Sequence, residues 1–369
     1  MFGFRRKDQP IINQKKETFD HDRLRRSLEG HLATGPSVDE VTWTDLNMDD
    51  VFSHIDHTVT SAGEETLYGW LRHPLVDPGA YEIRTTFIEM YKNATHQLRY
   101  RLSLIDRCRS DFTCAVRDGF ADERRMLLLY LPLALGNFLL LFFALLLKDF
   151  GLLGYGLVLM IANGLIHYRF TRTKADEIST LAYILRMLRF VRENRNEIEK
   201  LDPLTAARLR EIQHSLKGVS GKADVLFTVE GLDSIADYIN IALLLKEINF
   251  TLIARQLGKR KDEIIELYRL LGKIDAAMAI HCYKNELGCW SVPEFKSFHP
   301  DKNELSFRGL YHPLLETPVA NDLMASNSLA ITGSNMSGKS TFLRTIGVNA
   351  ILSQAVGISL STQYSAPYY

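Results

Sequence analysis

Two long uncharged segments lie next to each other in the middle of this chain. Met126–Leu147 contains 22 residues and Phe150–Tyr168 contains 19, and only Lys148 and Asp149 separate them. An α-helix rises about 1.5 Å per residue, so about 20 residues cross a hydrocarbon core about 30 Å thick. Each segment is long enough to span a bilayer, and the two-residue break allows only a tight turn. The sequence therefore predicts a transmembrane helical hairpin at 126–147 and 150–168.

Basic residues flank this hairpin on its outer sides. They are Arg117, Arg124 and Arg125 before the first segment, and Arg169, Arg172 and Lys174 after the second, whereas only Lys148 lies between the segments. Because loops rich in Lys and Arg stay in the cytoplasm, we expect the soluble parts of the chain on the cytoplasmic side of the cytoplasmic membrane. The alternative is a pair of helices buried in a soluble core, since shorter apolar runs are often core helices.

The overall composition is that of a folded protein. The chain has 369 residues, of which 46% are hydrophobic and 24% charged, so two or three domains are expected. Lys+Arg and Asp+Glu both total 44, and this balance neither indicates nor excludes a nucleic-acid binder. The 4 cysteines have no CxxC spacing, which argues against a zinc or redox motif and favours a reducing environment.

The chain divides by sequence pattern into three parts. Residues 1–40 are polar, contain the breaker Gly35-Pro36 and predict a basic flexible arm with one short helix near Leu24–Leu32. Residues 41–305 have apolar residues at helical spacing and predict a helical region around the hairpin. Residues 306–369 contain short strand-like segments and a glycine-rich loop. The predicted helices are Gly63–Arg72, Tyr81–Arg101, one from Asp202-Pro203 to Lys217, Gly231–Gln256 and Lys261–Tyr283, and the predicted strands are Leu305–Leu310 and Ser328–Thr332.

The glycine-rich loop carries the clearest chemical signal. Gly333, Ser334, Asn335, Met336, Ser337, Gly338, Lys339 and Ser340 fit the pattern G-x-x-x-x-G-K-[ST] at every fixed position. A predicted strand precedes the loop, and a predicted helix from Thr341 to Ala355 follows it. In such loops backbone N–H groups and the helix N-terminus bind phosphate oxygens. We expect Lys339 to contact the β- and γ-phosphates of ATP and the Ser340 hydroxyl to bind Mg²⁺. The alternative is a chance match in an unrelated loop.

Around this loop the sequence resembles the MutS family of DNA mismatch repair ATPases. The segment 331–344, with Asn335-Met336 inside the loop, is similar to the family's phosphate-binding segment. Residues 308–315 resemble the family's strand that ends in His-Pro, and residues 318–322 resemble the segment that lies against the adenine. The resemblance thus implies that Val319, Asn321 and Thr341 contact the nucleotide. Residues 46–75 and 273–295 resemble the entry to the family's helical core and its long lever helix.

This resemblance implies a mainly α fold. A helical MutS-like core and lever region, interrupted by the hairpin, would precede the start of an α/β P-loop ATPase domain of the ABC type. It also implies a homodimer through the ATPase domain in the full-length form, with mismatched or branched DNA as a partner. Only residues 1–40 precede the helical region, and the hairpin lies where repair members carry a DNA clamp. Direct mismatch recognition and encirclement of DNA are therefore not expected.

Two functions remain open from the sequence. In the first, the chain binds ATP and couples its nucleotide state to DNA or a DNA-processing partner at the membrane. In the second, it is a membrane-bound ATP-driven switch or scaffold that binds a protein and never contacts DNA. A basic cluster formed by Arg255, Lys259, Arg260 and Lys261 fits either a phosphate contact or a solvated helix turn.

No catalytic residue is predicted. A P-loop ATPase needs an acidic residue that holds Mg²⁺ and orients the attacking water, and no acidic residue follows Asp322. We therefore expect that this chain, as one truncated after its Walker A loop, does not hydrolyse ATP by itself.

Overall fold

The computed structural model describes residues 20–29, 36–108, 111–120, 124–218, 235–296, 304–326, 329–334 and 338–368. These residues are mainly helical and include a small mixed sheet. They fall into two compact units. The first contains Met1–Asp56, Leu71–Pro78 and Leu287–Tyr369, and the second contains His57–Trp70 and Gly79–Glu286.

The helices and strands follow one another in this order. The helices are α1 His21–Glu29, α2 Glu40–Asp45, α3 Met48–Ile55, α4 Ser61–Arg72, α5 Pro78–Met90, α6 His96–Ser103, α7 Phe112–Asp118, α8 Arg124–Leu147, α9 Phe150–Thr173, α10 Ala175–Leu201, α11 Pro203–Ser215, α12 Ile235–Leu243, α13 Leu245–Gly258, α14 Lys261–Glu286 and α15 Lys339–Val356. The strands are β1 Glu294–Lys296, β2 Leu305–Leu310, β3 Asn321–Ala325 and β4 Gln363–Pro367.

The first unit contains a four-stranded sheet in the order β1-β4-β2-β3. β1 and β4 are parallel, and β2 is antiparallel to both β4 and β3. The register of β2 against β3 shifts at Gly309, whose φ of +66° is readily adopted only by glycine. α15 packs Phe342 and Ile346 against a core of Phe307, Leu310, Tyr364 and Ala366. The first turns of α15 are thereby attached to the sheet.

The first unit also contains the short helices near the start of the chain. α1 confirms the short helix predicted in the N-terminal arm, although residues 1–19 and 30–35 lie outside the described residues. α2 begins after Asp39, whose side chain accepts a hydrogen bond from the Thr42 N–H at 2.9 Å. The Arg72 guanidinium lies 4.0 Å from the centre of the buried Trp43 ring and bonds Glu40 at 2.7 Å. These contacts fix α2 to the end of α4.

The second unit has a helical core in which α10 and α14 each bury most of their own apolar side chains. Phe112 of α7 stacks on Tyr268 of α14 with ring centres 4.3 Å apart. The predicted start of α11 is confirmed: Asp202 accepts a hydrogen bond from the Thr205 N–H at 3.0 Å, and Pro203 occupies the first helical position. The helix predicted at Lys261–Tyr283 is confirmed as α14.

The two apolar segments form a helical hairpin. α8 and α9 each have 24 residues, with mean hydropathies of 2.2 and 1.6 in their most apolar windows. Lys148 turns the chain with a φ of +52°, and Asp149 caps α9 by accepting a hydrogen bond from the Gly151 N–H at 2.7 Å. Only 17% and 11% of these windows are buried. The alternative of two buried core helices does not fit this exposure, and both helices are long and apolar enough to cross a membrane.

Two helices that the sequence predicts as continuous are broken. The segment Tyr81–Arg101 forms α5 and α6, because Thr95 begins α6 by accepting a hydrogen bond from the Leu98 N–H at 3.0 Å. The segment Gly231–Gln256 contains α12 and α13, which meet at Leu244 with a φ of +47°; residues 231–234 lie outside the described residues. Neither break contains glycine or proline, the residues that most strongly mark helix ends in a sequence.

The strand predicted at Ser328–Thr332 is not found. Ser328 lies outside the described residues, and residues 329–332 have no strand pairing. The Leu329 side chain is 57% exposed, whereas strands of a parallel sheet are normally covered on both faces. Because a strand requires hydrogen-bonded neighbours, the apolar sequence alone does not form one here. The strand predicted at Leu305–Leu310 is confirmed as β2.

Candidate nucleotide-binding site

The glycine-rich loop ends at a residue with left-handed backbone geometry. Gly338 has a φ of +82° and directly precedes α15, and its carbonyl accepts the first helical hydrogen bond, from the Phe342 N–H at 2.8 Å. A Cβ on Gly338 would meet no atom within 4 Å. Glycine is therefore favoured here by backbone conformation and not by lack of space. The helix predicted from Thr341 to Ala355 is confirmed, and it extends two residues further at its start and one further at its end.

Lys339 folds back over the loop that precedes it. Its Nζ donates hydrogen bonds to the carbonyl oxygens of Gly333 and of Ser334, the latter at 2.7 Å. The ammonium group thus links the two ends of the loop, across Asn335, Met336 and Ser337, which lie outside the described residues. A lysine that reaches the loop backbone in this way is placed where a phosphate held by that backbone would meet its charge.

Ser340 and Thr341 occupy the first turn of α15 and are exposed. The Ser340 hydroxyl is an oxygen ligand of the kind that Mg²⁺ prefers, but one hydroxyl does not make a metal site. Among the described residues, no three His, Cys, Asp or Glu side chains are grouped so that they could hold a metal ion. Ser340 therefore fits Mg²⁺ only where phosphate oxygens and water supply the other ligands.

Val319 and Asn321 make local contacts. The Val319 side chain is 78% exposed, and its carbonyl accepts a hydrogen bond from Asn321 Nδ2 at 2.9 Å. Asn321 also begins β3, opposite Leu310 of β2. In the part of the chain that the structure describes, no hydrogen bond joins either residue to the loop. Their predicted contact with a nucleotide base stays a prediction.

Asp322 is the last acidic residue in the sequence, and the structure shows what it binds. Its Oδ1 accepts a hydrogen bond from the Gly309 N–H at 2.7 Å. The carboxylate thus supports the register shift between β2 and β3. This role is structural, and it accounts for an acidic side chain that could otherwise be considered as a metal ligand.

Sequence reasoning missed the residue that fixes α15 to its surroundings. Asn349 is fully buried; its Nδ2 donates to the carbonyls of Tyr311 and Thr345 at 3.1 and 2.9 Å, and its Oδ1 accepts from the Leu360 N–H at 2.7 Å. One side chain therefore joins the segment after β2, the helix and the segment before β4. The available signal was an asparagine among the apolar residues of the helix that follows the loop.

His312 is a second buried polar residue near the same helix. It is 7% exposed, and its Nδ1 accepts a hydrogen bond from the Leu314 N–H at 3.3 Å. Burial, and to a lesser degree the positive charge of Arg344, lowers the pKa of His312 below its usual value. A neutral imidazole that accepts a backbone hydrogen bond serves the turn after β2 and adds no positive charge there.

The basic cluster belongs to the second unit and is partly engaged in internal contacts. Lys261 Nζ donates to the Arg117 carbonyl, and Arg260 lies 3.6 Å from Glu263. Lys259 and Arg260 line a cavity of about 310 Å³ together with Ser215, Gly218 and Gln256. These contacts explain part of the cluster as helix-end packing, and its predicted contact with nucleic-acid phosphate stays a prediction.

The described residues thus define a mainly helical protein with an apolar helical hairpin and a glycine-rich loop that begins a helix packed on a small mixed sheet. No model of a known protein family matches the chain. Individual relatives do. The chain is 26% identical to the DNA mismatch repair protein MutS of Thermus aquaticus over 353 residues, which cover 83% of this chain and 41% of that protein.

Two further relatives match shorter segments of the chain at higher identity. The DNA mismatch repair protein MutS of Thermotoga maritima is 31% identical over 112 residues, or 28% of this chain and 13% of that protein. The endonuclease MutS2 of Streptococcus equi subsp. equi is 36% identical over 89 residues, or 23% of this chain and 11% of that protein. The matched segments span less than half the length of these curated relatives. The similarity supports a MutS-like family for the chain.

Proposed function

We propose that this chain is a MutS-like P-loop protein that binds ATP together with Mg²⁺ and is anchored in the cytoplasmic membrane by α8 and α9. Gly333–Thr341 would hold the phosphates, with Lys339 as the cationic ligand. Ser340 would contribute its hydroxyl to Mg²⁺, which when bound would neutralise phosphate charge. Val319 and Asn321 would contact the base.

The observation that carries this proposal is the geometry around Gly338. A glycine at a φ of +82° is followed at once by an 18-residue helix, and the next lysine bonds the carbonyl of Ser334. Backbone N–H groups at such a helix start attract anions, because the first turn has no internal acceptors for them. The names of the relatives, DNA mismatch repair protein MutS and endonuclease MutS2, support a role linked to DNA.

The proposed role of nucleotide state is mechanical. α14 is a 26-residue helix with most of its apolar side chains buried in the second unit, which suits it to act as a lever. ATP binding would move such levers, and α8 and α9 would keep them at the membrane. The target would be DNA, mismatched or branched, or a DNA-processing partner, and the full-length protein would be a homodimer through its ATPase domain.

ATP binding can be tested on the purified chain in detergent. Lys339→Ala should abolish or greatly weaken the binding of a fluorescent ATP analogue and leave the helical content unchanged, since the lysine is not a core residue. Lys296→Ala is the matched control, because Lys296 is an exposed lysine of the same unit whose Nζ pairs with Glu304 at 3.3 Å. Equal ATP affinity in the native chain and the Lys339→Ala variant would refute the assignment of the loop.

A second function competes with the first: a membrane-bound ATP-driven switch or scaffold that binds a protein and does not contact DNA. The observation in its favour is that Arg260 and Lys261 are already engaged within the basic cluster. Binding to branched DNA at several salt concentrations separates the two functions, because phosphate contacts make affinity fall steeply with salt. Salt-sensitive binding that weakens in a Lys259→Ala, Arg260→Ala variant supports the DNA role. No binding at low salt supports the protein switch.

A further inference from the structure

Two buried asparagines connect the hairpin to the helix break at Leu244. Asn137 of α8 and Asn163 of α9 are both completely buried, and the Nδ2 of each donates a hydrogen bond to the Ala242 carbonyl, at 3.1 and 2.9 Å. Ala242 lies in the last turn of α12, where carbonyl groups lack helical partners. The two amides therefore hold the end of α12 against both helices of the hairpin.

The position of these asparagines fixes the level of the contact along the hairpin. Asn137 precedes the end of α8 at Leu147 by 10 residues, and Asn163 follows the start of α9 at Phe150 by 13 residues. At about 1.5 Å per residue the two amides lie about 15 to 20 Å from the turn at Lys148, which is near the middle of a hydrocarbon core about 30 Å thick. If the hairpin spans a membrane, the Ala242 carbonyl lies near its midplane.

The order of further contacts shows in which direction α13 leaves this point. Gly164 of α9 lies beside Ile241, His167 Nδ1 lies 2.7 Å from Glu247 Oε1, and the Phe170 and Phe250 rings meet edge to face at 5.4 Å. α9 and the segment from α12 to α13 therefore run in the same direction, toward the Thr173 end of α9, which is the proposed cytoplasmic end. α13 therefore runs from the bilayer midplane to the cytoplasmic side. α12 lies at the depth in the bilayer at which α13 begins.

The outer surface of α12 resembles that of the hairpin. Tyr238 is 62% exposed and Ile239 is 48% exposed, as are the apolar side chains along α8 and α9, for example Ile161 at 68%. Asp237 is the one charged residue from Ile235 to Leu245. Ionisable residues within membrane segments are rare and usually tied to function, and Glu247 of α13 is fully buried next to His167.

We propose that α12 is a third membrane-embedded helix, held at the bilayer midplane by Asn137 and Asn163, and that Tyr238 and Ile239 contact lipid acyl chains. This inference rests on the proposed membrane insertion of α8 and α9. It changes the membrane part from a simple hairpin to three packed helices. It also connects that part to the soluble core directly, because α13 runs from the break at Leu244 to α14.

Depth-dependent quenching of tryptophan fluorescence tests the inference on the full chain in phosphatidylcholine vesicles. Tyr238→Trp reports on α12, Ile161→Trp on the lipid-exposed middle of α9, and Leu204→Trp on α11, where Leu204 is 82% exposed. The native chain, with 3 tryptophans outside these helices, gives the background. We expect lipids brominated on their acyl chains to quench Tyr238→Trp as they quench Ile161→Trp, and acrylamide to quench only Leu204→Trp.

The outcomes separate this inference from the proposed membrane anchor. If brominated lipid quenches Ile161→Trp but acrylamide quenches Tyr238→Trp, α12 is in water and the inference is wrong although the anchor stands. If brominated lipid quenches neither variant, the anchor is wrong as well. Replacing Asn137 and Asn163 with Leu in the Tyr238→Trp chain should lead to a loss of the lipid quenching, and unchanged quenching would show that the amides do not hold α12.

Discussion

The Asp275 carboxylate of α14 accepts hydrogen bonds from both the backbone N–H and the hydroxyl of Thr60, at 2.8 and 2.6 Å. Thr60 in turn caps α4, since its hydroxyl oxygen accepts a hydrogen bond from the Gly63 N–H at 3.0 Å. Asp275 is completely buried. A single acidic side chain on the long helix therefore fixes the start of a helix more than two hundred residues earlier in the chain.

Gly63→Ala should destabilise the second unit. A Cβ at this position would lie 2.1 Å from Asp275 Oδ2, and this contact cannot be relieved without moving a fully bonded carboxylate. We expect a loss of about 3 kcal/mol in the free energy of unfolding, as for overpacked cores. Gly288→Ala is the control, because a Cβ there meets nothing within 4 Å. Denaturant unfolding in detergent measures the stability of both variants. Equal unfolding midpoints would show that the Asp275 side chain moves away from the new Cβ at no cost in stability.

The stability of the chain should depend on pH through Asp275. Burial raises the pKa of this carboxyl from 3.8 to about 6, against the opposing effect of its hydrogen bonds with Thr60 and Val59. The folded state therefore binds the proton more tightly than the unfolded state. The contribution of Asp275 to the free energy of unfolding is greatest below about pH 4, falls between about pH 4 and 6, and stays low at higher pH. The total change in this free energy is on the order of 3 kcal/mol.

Asp275→Asn isolates this effect because asparagine does not titrate. We expect the free energy of unfolding of the native chain to fall relative to that of the variant as the pH rises from 4 to 6. Denaturant titrations of both proteins at each pH give the difference. Parallel curves for the two proteins would mean that the pKa of Asp275 is the same in the folded and unfolded states.

The parts of the fold that the sequence predicted well are those determined by local pattern. The hairpin followed from the length of its apolar segments, and the start of α11 followed from Asp202-Pro203. The break at Leu244 could not be predicted, because the amides that bond the Ala242 carbonyl beside it lie 79 and 105 residues earlier in the chain. The strand at 328–332 was predicted from apolar residues alone, although a strand also depends on neighbours that the sequence does not specify.

In the candidate site, too, features set by local sequence were predicted and features set by distant contacts were not. The pattern from Gly333 to Ser340 predicted that a helix follows the loop, and α15 begins two residues before the predicted start at Thr341. It gave no indication that Asn349 connects this helix to two other segments, because a buried amide can be identified only once its three partners are known.

Asn349→Leu should destabilise the first unit. The substitution keeps the volume but leaves the Leu360 N–H and the Tyr311 carbonyl without their bonds to this side chain. Buried polar groups that lose their partners each cost about 1 to 3 kcal/mol, so we expect a loss of about 3 kcal/mol. The exposed Asn93→Leu is the control. Thermal unfolding followed by circular dichroism compares them, and a native-like transition in Asn349→Leu would show that these bonds add little.

Gly338→Ala should distort the loop through backbone strain alone. The φ of +82° costs a residue with a Cβ about 1 to 2 kcal/mol, and no neighbouring atom is close enough to clash. If the loop binds ATP as proposed, we expect about tenfold weaker binding. Gly338→Asn should bind ATP better than Gly338→Ala, because asparagine tolerates this conformation. Equal ATP affinities for the alanine and asparagine variants would indicate that the backbone conformation at position 338 does not determine ATP binding.

The 369-residue chain should not hydrolyse ATP at an enzymatic rate. Hydrolysis in P-loop proteins requires an acidic residue that holds Mg²⁺ and orients the attacking water. No acidic residue follows Asp322, and Asp322 itself bonds the Gly309 N–H at 2.7 Å. We expect steady-state phosphate release with Mg·ATP to equal that of the Lys339→Ala variant. Turnover clearly above that variant would show that these residues supply a catalytic carboxylate from elsewhere in the chain.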